Sequence, residues 1–277
     1  MAGLLAAALH LGPLGLAAAP ALPELKERAD LRIGDSLLVD SRVMGEARRI
    51  NVYTPQLLPG QQPSPLPLLL VLDGGMGEDF LHIAGLLQVG VANGSVRPFR
   101  LVGIENTERR RDLTGPTQNE DDRKMAPRVG GSERFRRFVR DEVLPLIEAR
   151  YPSTAERALM GESLAGLFVF ETLLQEPQLF DHYIAIDPSL WWNDKALLAQ
   201  AAKGIGLAEQ PKHLFMAYGA DMLRGEAPTR AALQAGAQAG LRWRLELAPD
   251  EGHSTLYHPM ALKALRALLK PAEAPKP

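Results

Sequence analysis

The stretch Gly161-Glu162-Ser163-Leu164-Ala165-Gly166 puts a serine on a tight turn between two kinds of segment. Before it runs Arg157-Ala158-Leu159-Met160, short and apolar like a strand; after it, Leu164 to Leu174 carries apolar residues at helical spacing. A strand that turns directly into a helix through a serine forces that residue into a strained backbone conformation and exposes its hydroxyl. Side chains two positions away on either side must then be small, and here they are Gly161 and Ala165. Gly-x-Ser also occurs at 34–36, 130–132 and 252–254, but only the copy at 161–163 lies between a strand signal and a helix signal. Ser163 is therefore the candidate nucleophile.

The remainder of the chain alternates in the same way. Residues 36–45 and 47–55 read as an N-terminal hairpin, followed by a Pro-rich link at 59–67. Strands are predicted at 68–73 and 100–106, with a helix near 78–91 between them and a polar excursion at 106–129 after the second. Residues 132–151 form an amphipathic helix with Phe135, Val139, Val143, Leu144 and Ile147 on one face. The alternation continues to a final helix at 259–269. Such a pattern specifies an α/β fold, a mostly parallel central sheet with helices on both faces and an antiparallel hairpin at its start. No repeat and no second domain is visible; one domain is expected over 30–270, with a flexible tail at 271–277.

A serine nucleophile needs a base, an acid and an oxyanion site. Of six histidines, His253 alone follows a late strand, 241–247, on a loop, which makes it the expected general base. The strand 212–219 leads to Asp221, the first choice for the acid that fixes the imidazole tautomer. Glu226 in the same loop region is a rival, and a bare Ser-His pair is a third arrangement. For the oxyanion, the glycine-rich exit of strand 68–73 offers the Gly74 and Gly75 N–H groups, joined by that of Leu164. These glycines could equally serve only a tight turn. Serine chemistry of this kind calls for no cofactor and no metal.

With 277 residues, 46% of them hydrophobic, the chain can bury a full core. A net charge of -2 argues against nucleic-acid binding, and the absence of cysteine excludes disulfides, thiolate chemistry and cysteine metal sites. Residues 1–23 hold no charged side chain, are rich in Leu and Ala, and offer Ala19-Pro20-Ala21 as a cleavage site. They read as a signal peptide without the usual basic start, so a periplasmic or secreted protein is expected. Gly12, Pro13, Gly15 and Pro20 interrupt the segment too often for a membrane anchor. Oligomeric state is not encoded in any motif.

Taken with these residues, several stretches give the chain a family likeness. They are Leu72-Asp73-Gly74, Asn106 to Thr114, Gly130-Gly131, Gly161-Glu162-Ser163 and Asp187-Pro188-Ser189-Leu190-Trp191-Trp192. From about residue 30 to 270 the sequence resembles the putative-esterase branch of the α/β hydrolases, the group with enterochelin and salmochelin esterases. The resemblance implies hydrolysis of carboxylic esters through an acyl-enzyme, with a siderophore-type substrate as one reading and a short-chain or feruloyl ester as another. Two departures stand out: Ala165 where glycine is usual, and Gly115-Pro116 where proline commonly follows Leu-Thr directly. Trp191 and Trp192 follow a strand end, where one is expected to form an aromatic wall and the other to pack in the core. Arg109, Arg110 and Arg111 could meet an anionic substrate, with Arg111 the chosen contact, or could simply pair with Glu108 and Asp112. A competing hydrolase class is spelled by Gly34-Asp35-Ser36-Leu37 together with Asp250 and His253, the GDSL type. Its serine should follow a buried first strand, whereas the strand signal here comes after Ser36. A non-catalytic binding protein on the same scaffold is the third class, disfavoured by the presence of both Ser163 and His253.

Overall fold

The computed structural model describes residues 22–57, 65–205, 211–237 and 240–271. The chain divides into a short unit, Met1–Arg32, and a main unit, Ile33–Pro277. In the short unit, residues 22–32 form neither helix nor strand. The expected signal segment lies, apart from its last two residues, outside the described residues, and so does all but the first residue of the expected tail.

The main unit holds an eight-stranded sheet in the order β1-β2-β4-β3-β5-β6-β7-β8. Its strands are β1 (Asp35–Ser41), β2 (Glu46–Tyr53), β3 (Leu66–Val71), β4 (Arg100–Ile104), β5 (Ser153–Glu162), β6 (His182–Ile186), β7 (Lys212–Gly219) and β8 (Leu241–Ala248). β2 runs antiparallel to both β1 and β4, and every other neighbouring pair is parallel. This is the α/β-hydrolase fold with its N-terminal hairpin, as the alternation predicts.

Helices cover both faces. They are α1 (Phe80–Ala92), α2 (Arg109–Asp112), α3 (Glu120–Lys124), α4 (Ser132–Phe138), α5 (Leu144–Arg150), α6 (Leu164–Gln175), α7 (Trp192–Lys203), α8 (Glu226–Gly236) and α9 (His253–Leu268). Residues of β3 alternate between two cores: Leu68 and Leu70 pack with α4, α5 and α6, while Leu69 and Val71 pack with α1 and α9. Each fully buried leucine contributes roughly 1.5–3 kcal/mol, so this strand alone anchors both layers. The long helix predicted at 132–151 is present, but α4 passes into α5 through a π-helical turn at Val139–Val143. Pro145, in the first turn of α5, explains the turn: it has no N–H to donate and its ring crowds the carbonyl four residues back.

Two expectations change. The last helix starts at His253 rather than 259 and carries Pro259 inside it, so the candidate base opens a helix instead of riding on a free loop. The polar excursion at 106–129 contains α2 and α3, and it is pinned by a buried ion cluster. Arg48, 1% exposed on β2, donates to Asp112 at 2.6 Å, Thr107 at 2.8 Å and Glu46 at 3.0 Å, and lies over the rings of Phe135 and Phe138.

Because Asp112 is equally buried, Arg48→Ala takes from this carboxylate one of the two arginines that pair with it at 2.6 Å, Arg111 being the other, and leaves the Arg48 side of the cluster empty. Chemical denaturation of that variant is expected to show a loss of about 2–4 kcal/mol, less than for a fully stranded charge because Arg111 still pairs with Asp112. Replacing both partners with apolar residues, as in Arg48→Met with Asp112→Leu, is expected to recover much of it. A single-variant loss below about 1 kcal/mol would mean that the cluster does not hold the segment.

Candidate active site

The carboxyl-terminal ends of β3, β5, β6 and β7 meet at one edge of the sheet, where α/β folds bind ligands. Ser163 directly follows β5 with φ 60° and ψ -117°, a conformation sparsely populated by non-glycine residues. Its N–H donates to Ile186 O at 3.0 Å, and its carbonyl accepts from Leu167 N and Ser189 N. The turn is therefore tied into both α6 and the segment after β6. A Cβ on Gly161 would come within 2.6 Å of the Ala165 methyl, which shows how Ala165 is tolerated: the residue facing it has no side chain.

The imidazole of His253 is held by Asp187, with Nδ1 2.6 Å from Oδ2. Asp187 follows β6, is fully buried, and accepts from Gly219 N with its other oxygen at 3.0 Å. A carboxylate accepts hydrogen bonds, so Nδ1 carries the proton and Nε2 presents a lone pair. This bond to Asp187 outweighs partial burial and raises the His253 pKa above its ordinary 6.5.

Asp221, the acid chosen from the sequence, does not touch the ring. Its Oδ2 accepts from the backbone N–H of His253 at 2.7 Å, which satisfies a free donor at the start of α9 in the manner of a helix cap. Glu226 is equally removed from the ring, because it pairs with Arg230 one turn along α8. Asp187 was visible in the sequence only as part of a family-like stretch. The signal that could have singled it out is an aspartate ending a five-residue apolar strand, His182–Ile186, directly before a proline.

Ser189 was missed as well. Its side chain is buried, and its Oγ lies 3.4 Å from Ser163 Oγ. Next to the serine, burial pushes the Glu162 carboxyl up to about 7, and its Oε1 is enclosed without a hydrogen-bond partner. Across the site the turn after β3 places Asp73 at φ 54°, clamped by both Arg109 Nε at 2.6 Å and Arg109 Nη2 at 2.8 Å.

The oxyanion candidates separate. The Gly74 N–H is spent on Ile104 O at 2.8 Å, and a Cβ at Gly74 would strike Gly103 and Ile104, so this glycine serves close strand packing. The Gly75 N–H donates to Glu78 Oε2 at 2.7 Å. Leu164 opens α6, where an N–H has no acceptor within the helix. The Arg111 guanidinium is engaged by carboxylates, pairing with Glu46 at 2.6 Å, Asp112 at 2.6 Å and Glu108 at 3.2 Å. Trp192 is packed in the core with Nε1 donating to Gly115 O, whereas Trp191 stays 39% exposed. Gly115 thus receives the buried indole.

Ser36 sits on β1 and accepts from Arg49 at 3.1 Å, at the sheet edge opposite to β8 and His253. Sheet order therefore rules out the GDSL constellation. No group of three or more potential metal ligands exists among the described residues, and none of their helices is long and apolar enough to cross a membrane.

The sequence profile of the "Putative esterase" family matches residues 41–227. A ferri-bacillibactin esterase of Bacillus subtilis is 30% identical over 199 residues, which is 66% of this chain and 67% of that one. A siderophore triacetylfusarinine C esterase of Aspergillus fumigatus is 43% identical over 158 residues, 50% of this chain and 49% of its own length. Among solved structures, an IroE-like serine hydrolase from Shewanella oneidensis superposes with a TM-score of 0.73 at 27% identity, covering 85% of this chain and 80% of that one. With the profile matching well over half of its length, this chain belongs to the putative-esterase family and hydrolyses esters.

Proposed function

We propose that the chain is a serine esterase that cleaves siderophore-type carboxylic esters through an acyl-enzyme, with Ser163 as nucleophile, His253 as general base and Asp187 as the acid that orients it. The observation that carries this reading is the 2.6 Å contact from Asp187 to His253 Nδ1 beside a serine held at φ 60°. In this reading His253 Nε2 takes the Ser163 proton as Oγ attacks the ester carbonyl. Buried Asp187 stabilises the imidazolium that forms. The Leu164 N–H stabilises the oxyanion, and the Gly75 N–H joins it when the carbonyl oxygen displaces Glu78. Nε2 then protonates the leaving alcohol, and water attacks the acyl-enzyme by the same route in reverse. The siderophore substrate class is supported by the names of the Bacillus and Aspergillus relatives.

Ser163→Ala is expected to lower kcat by at least about a thousandfold on any ester the protein cleaves, leaving only oxyanion and binding effects. Ser36→Ala should retain wild-type activity; the opposite pattern would end the assignment.

Asp187→Asn should lower kcat by up to about ten-thousandfold, because an amide favours the wrong tautomer. Asp221→Asn should lose far less, having only a backbone contact to give up. In the wild type, kcat/KM is expected to rise with pH through an ionisation above 6.5, since Asp187 stabilises the inactive protonated imidazole. Asp187→Asn should therefore move this limb to lower pH, and a limb that stays in place would remove Asp187 from the mechanism.

Glu162 adds a second titration to the same limb. Its negative charge also favours the protonated imidazole, so Glu162→Gln should shift the limb to lower pH with much of kcat retained. Comparing the pH profiles of the two variants separates the carboxylate on the ring from the one beside the serine.

A further inference from the structure

Two histidines outside the active site turn their ring nitrogens toward each other. His82 on α1 and His258 on α9 bring Nε2 and Nδ1 to 2.7 Å, with ring centroids 4.7 Å apart and planes at 29°. Stacked rings cannot bring two nitrogens this close, so the imidazoles meet edge to edge. Neither ring has a carboxylate partner among the described residues, whereas His182 is committed to Glu156 at 2.9 Å and His253 to Asp187 at 2.6 Å. Packing holds the two helices beneath the pair. Phe80, Ile83 and Leu87 of α1 share one core with Leu256, Tyr257 and Ala261 of α9, and the Tyr257 ring meets His82 edge-on with centroids 5.5 Å apart. His258 is exposed and His82 half-buried, so an ion can arrive from solvent.

Imidazole nitrogen suits copper, nickel and zinc, and the spacing of the pair discriminates among them. With metal–nitrogen bonds of about 2.0 Å, two ligands lie about 2.8 Å apart in neighbouring positions of a tetragonal ion and about 3.3 Å apart around a tetrahedral one. The observed 2.7 Å matches the tetragonal geometry of copper(II), which also heads the affinity order of the divalent ions. In the hydrogen bond one of the facing nitrogens carries a proton. For both to ligate, that ring passes its proton through water to its own second nitrogen, and each ring turns about the bond to its Cβ until the lone pairs converge. No proton is released overall, and the copper keeps its oxidation state.

We propose that His82 Nε2 and His258 Nδ1 form a two-histidine site for copper(II), with water in the remaining positions. Among the described residues no third histidine or carboxylate joins them, so the site is open and exchanges its ion with solvent. Binding costs little ordering, because the core already holds both backbones. The ion ties the helix that begins at His253 to the helix that follows the turn carrying Gly75 and Glu78. Neither histidine takes part in ester cleavage, so the site stands independently of the esterase reading.

The test titrates copper(II), nickel(II) and zinc(II) separately into the full chain by calorimetry in a weakly coordinating buffer, and reads the copper complex by electron paramagnetic resonance. His82→Gln and His258→Gln should each weaken copper binding at least about tenfold, and each should lose the two-nitrogen signature of the wild-type spectrum. Nickel and zinc should bind the wild type more weakly than copper. With free copper at a hundredfold excess over Kd, the wild-type Tm should rise by at least about 3 °C, and neither variant should show the rise. His253→Gln should keep the copper site, which separates it from the imidazole beside Ser163. Copper binding that ignores both substitutions, that disappears in His253→Gln, or that is weaker than zinc binding would overturn the assignment. His258→Gln, at an exposed position, decides alone where His82→Gln does not fold.

Discussion

Ser163 occupies a backbone conformation that costs on the order of 1–3 kcal/mol in isolation, and three hydrogen bonds to its own N–H and carbonyl hold it there. These bonds reach Ile186, Leu167 and Ser189, so the turn is stable only when β5, α6 and the segment after β6 are all in place. The same constraint brings Asp187 to the site, because the residue after Ile186 must leave the sheet at once and does so at φ 44°. All six non-glycine residues with positive φ among the described ones, Asp73, Ser163, Asp187 and Asn193 to Lys195, follow the ends of β3, β5 and β6. Strain is concentrated at one edge of the sheet, while the two cores beneath it are built from ordinary apolar packing.

Charge is divided by the same logic. The segment after β4 is polar and has little core of its own, so ion pairs secure it to β2 and to the turn after β3. Arg48 and Arg111 converge on Asp112 and Glu46, and Arg111 holds the Glu46 carboxyl down at about 2. Arg109 reaches from α2 to clamp Asp73, with Asn106 donating to the same carboxylate at 2.5 Å. An arginine run that looks like a binding patch is two-thirds structural, because each guanidinium closer to the sheet meets a carboxylate that would otherwise be stranded.

The fold was legible because its signals are local: alternating strand and helix periodicity, a serine turn with small flanking residues, and a hairpin at the start. The turn at Ser163 and the position of His253 after the last strand were legible for the same reason, each at the end of a recognisable strand. The carboxylate on the His253 ring was not, because Asp187 and Asp221 both follow apolar strands and only the folded chain shows which one reaches the ring and which the backbone. The Gly74 N–H was misjudged because its partner, Ile104, comes from the neighbouring strand, and pairing across a sheet leaves no mark at either residue. The pairing of Arg111 was hidden in the same way, since Glu46 lies 65 positions away.

The placement of His253 follows from where α9 begins. His253 is the first residue of that helix, so two anchors fix it: the ring is held by Asp187 from the end of β6, and the N–H by Asp221 from the turn after β7. α9 in turn packs with α1 in the second core, to which it contributes Leu256, Tyr257 and Ala261 and α1 contributes Phe80, Ile83 and Leu87. His258 and His82 add a hydrogen bond of 2.7 Å across the same pair. Because α1 starts directly after the glycine turn that carries Gly75 and Glu78, the His253 imidazole and that turn share a single packed support. Their relative position is therefore set by side-chain packing in that layer, and the loops at the sheet edge have only to present the groups.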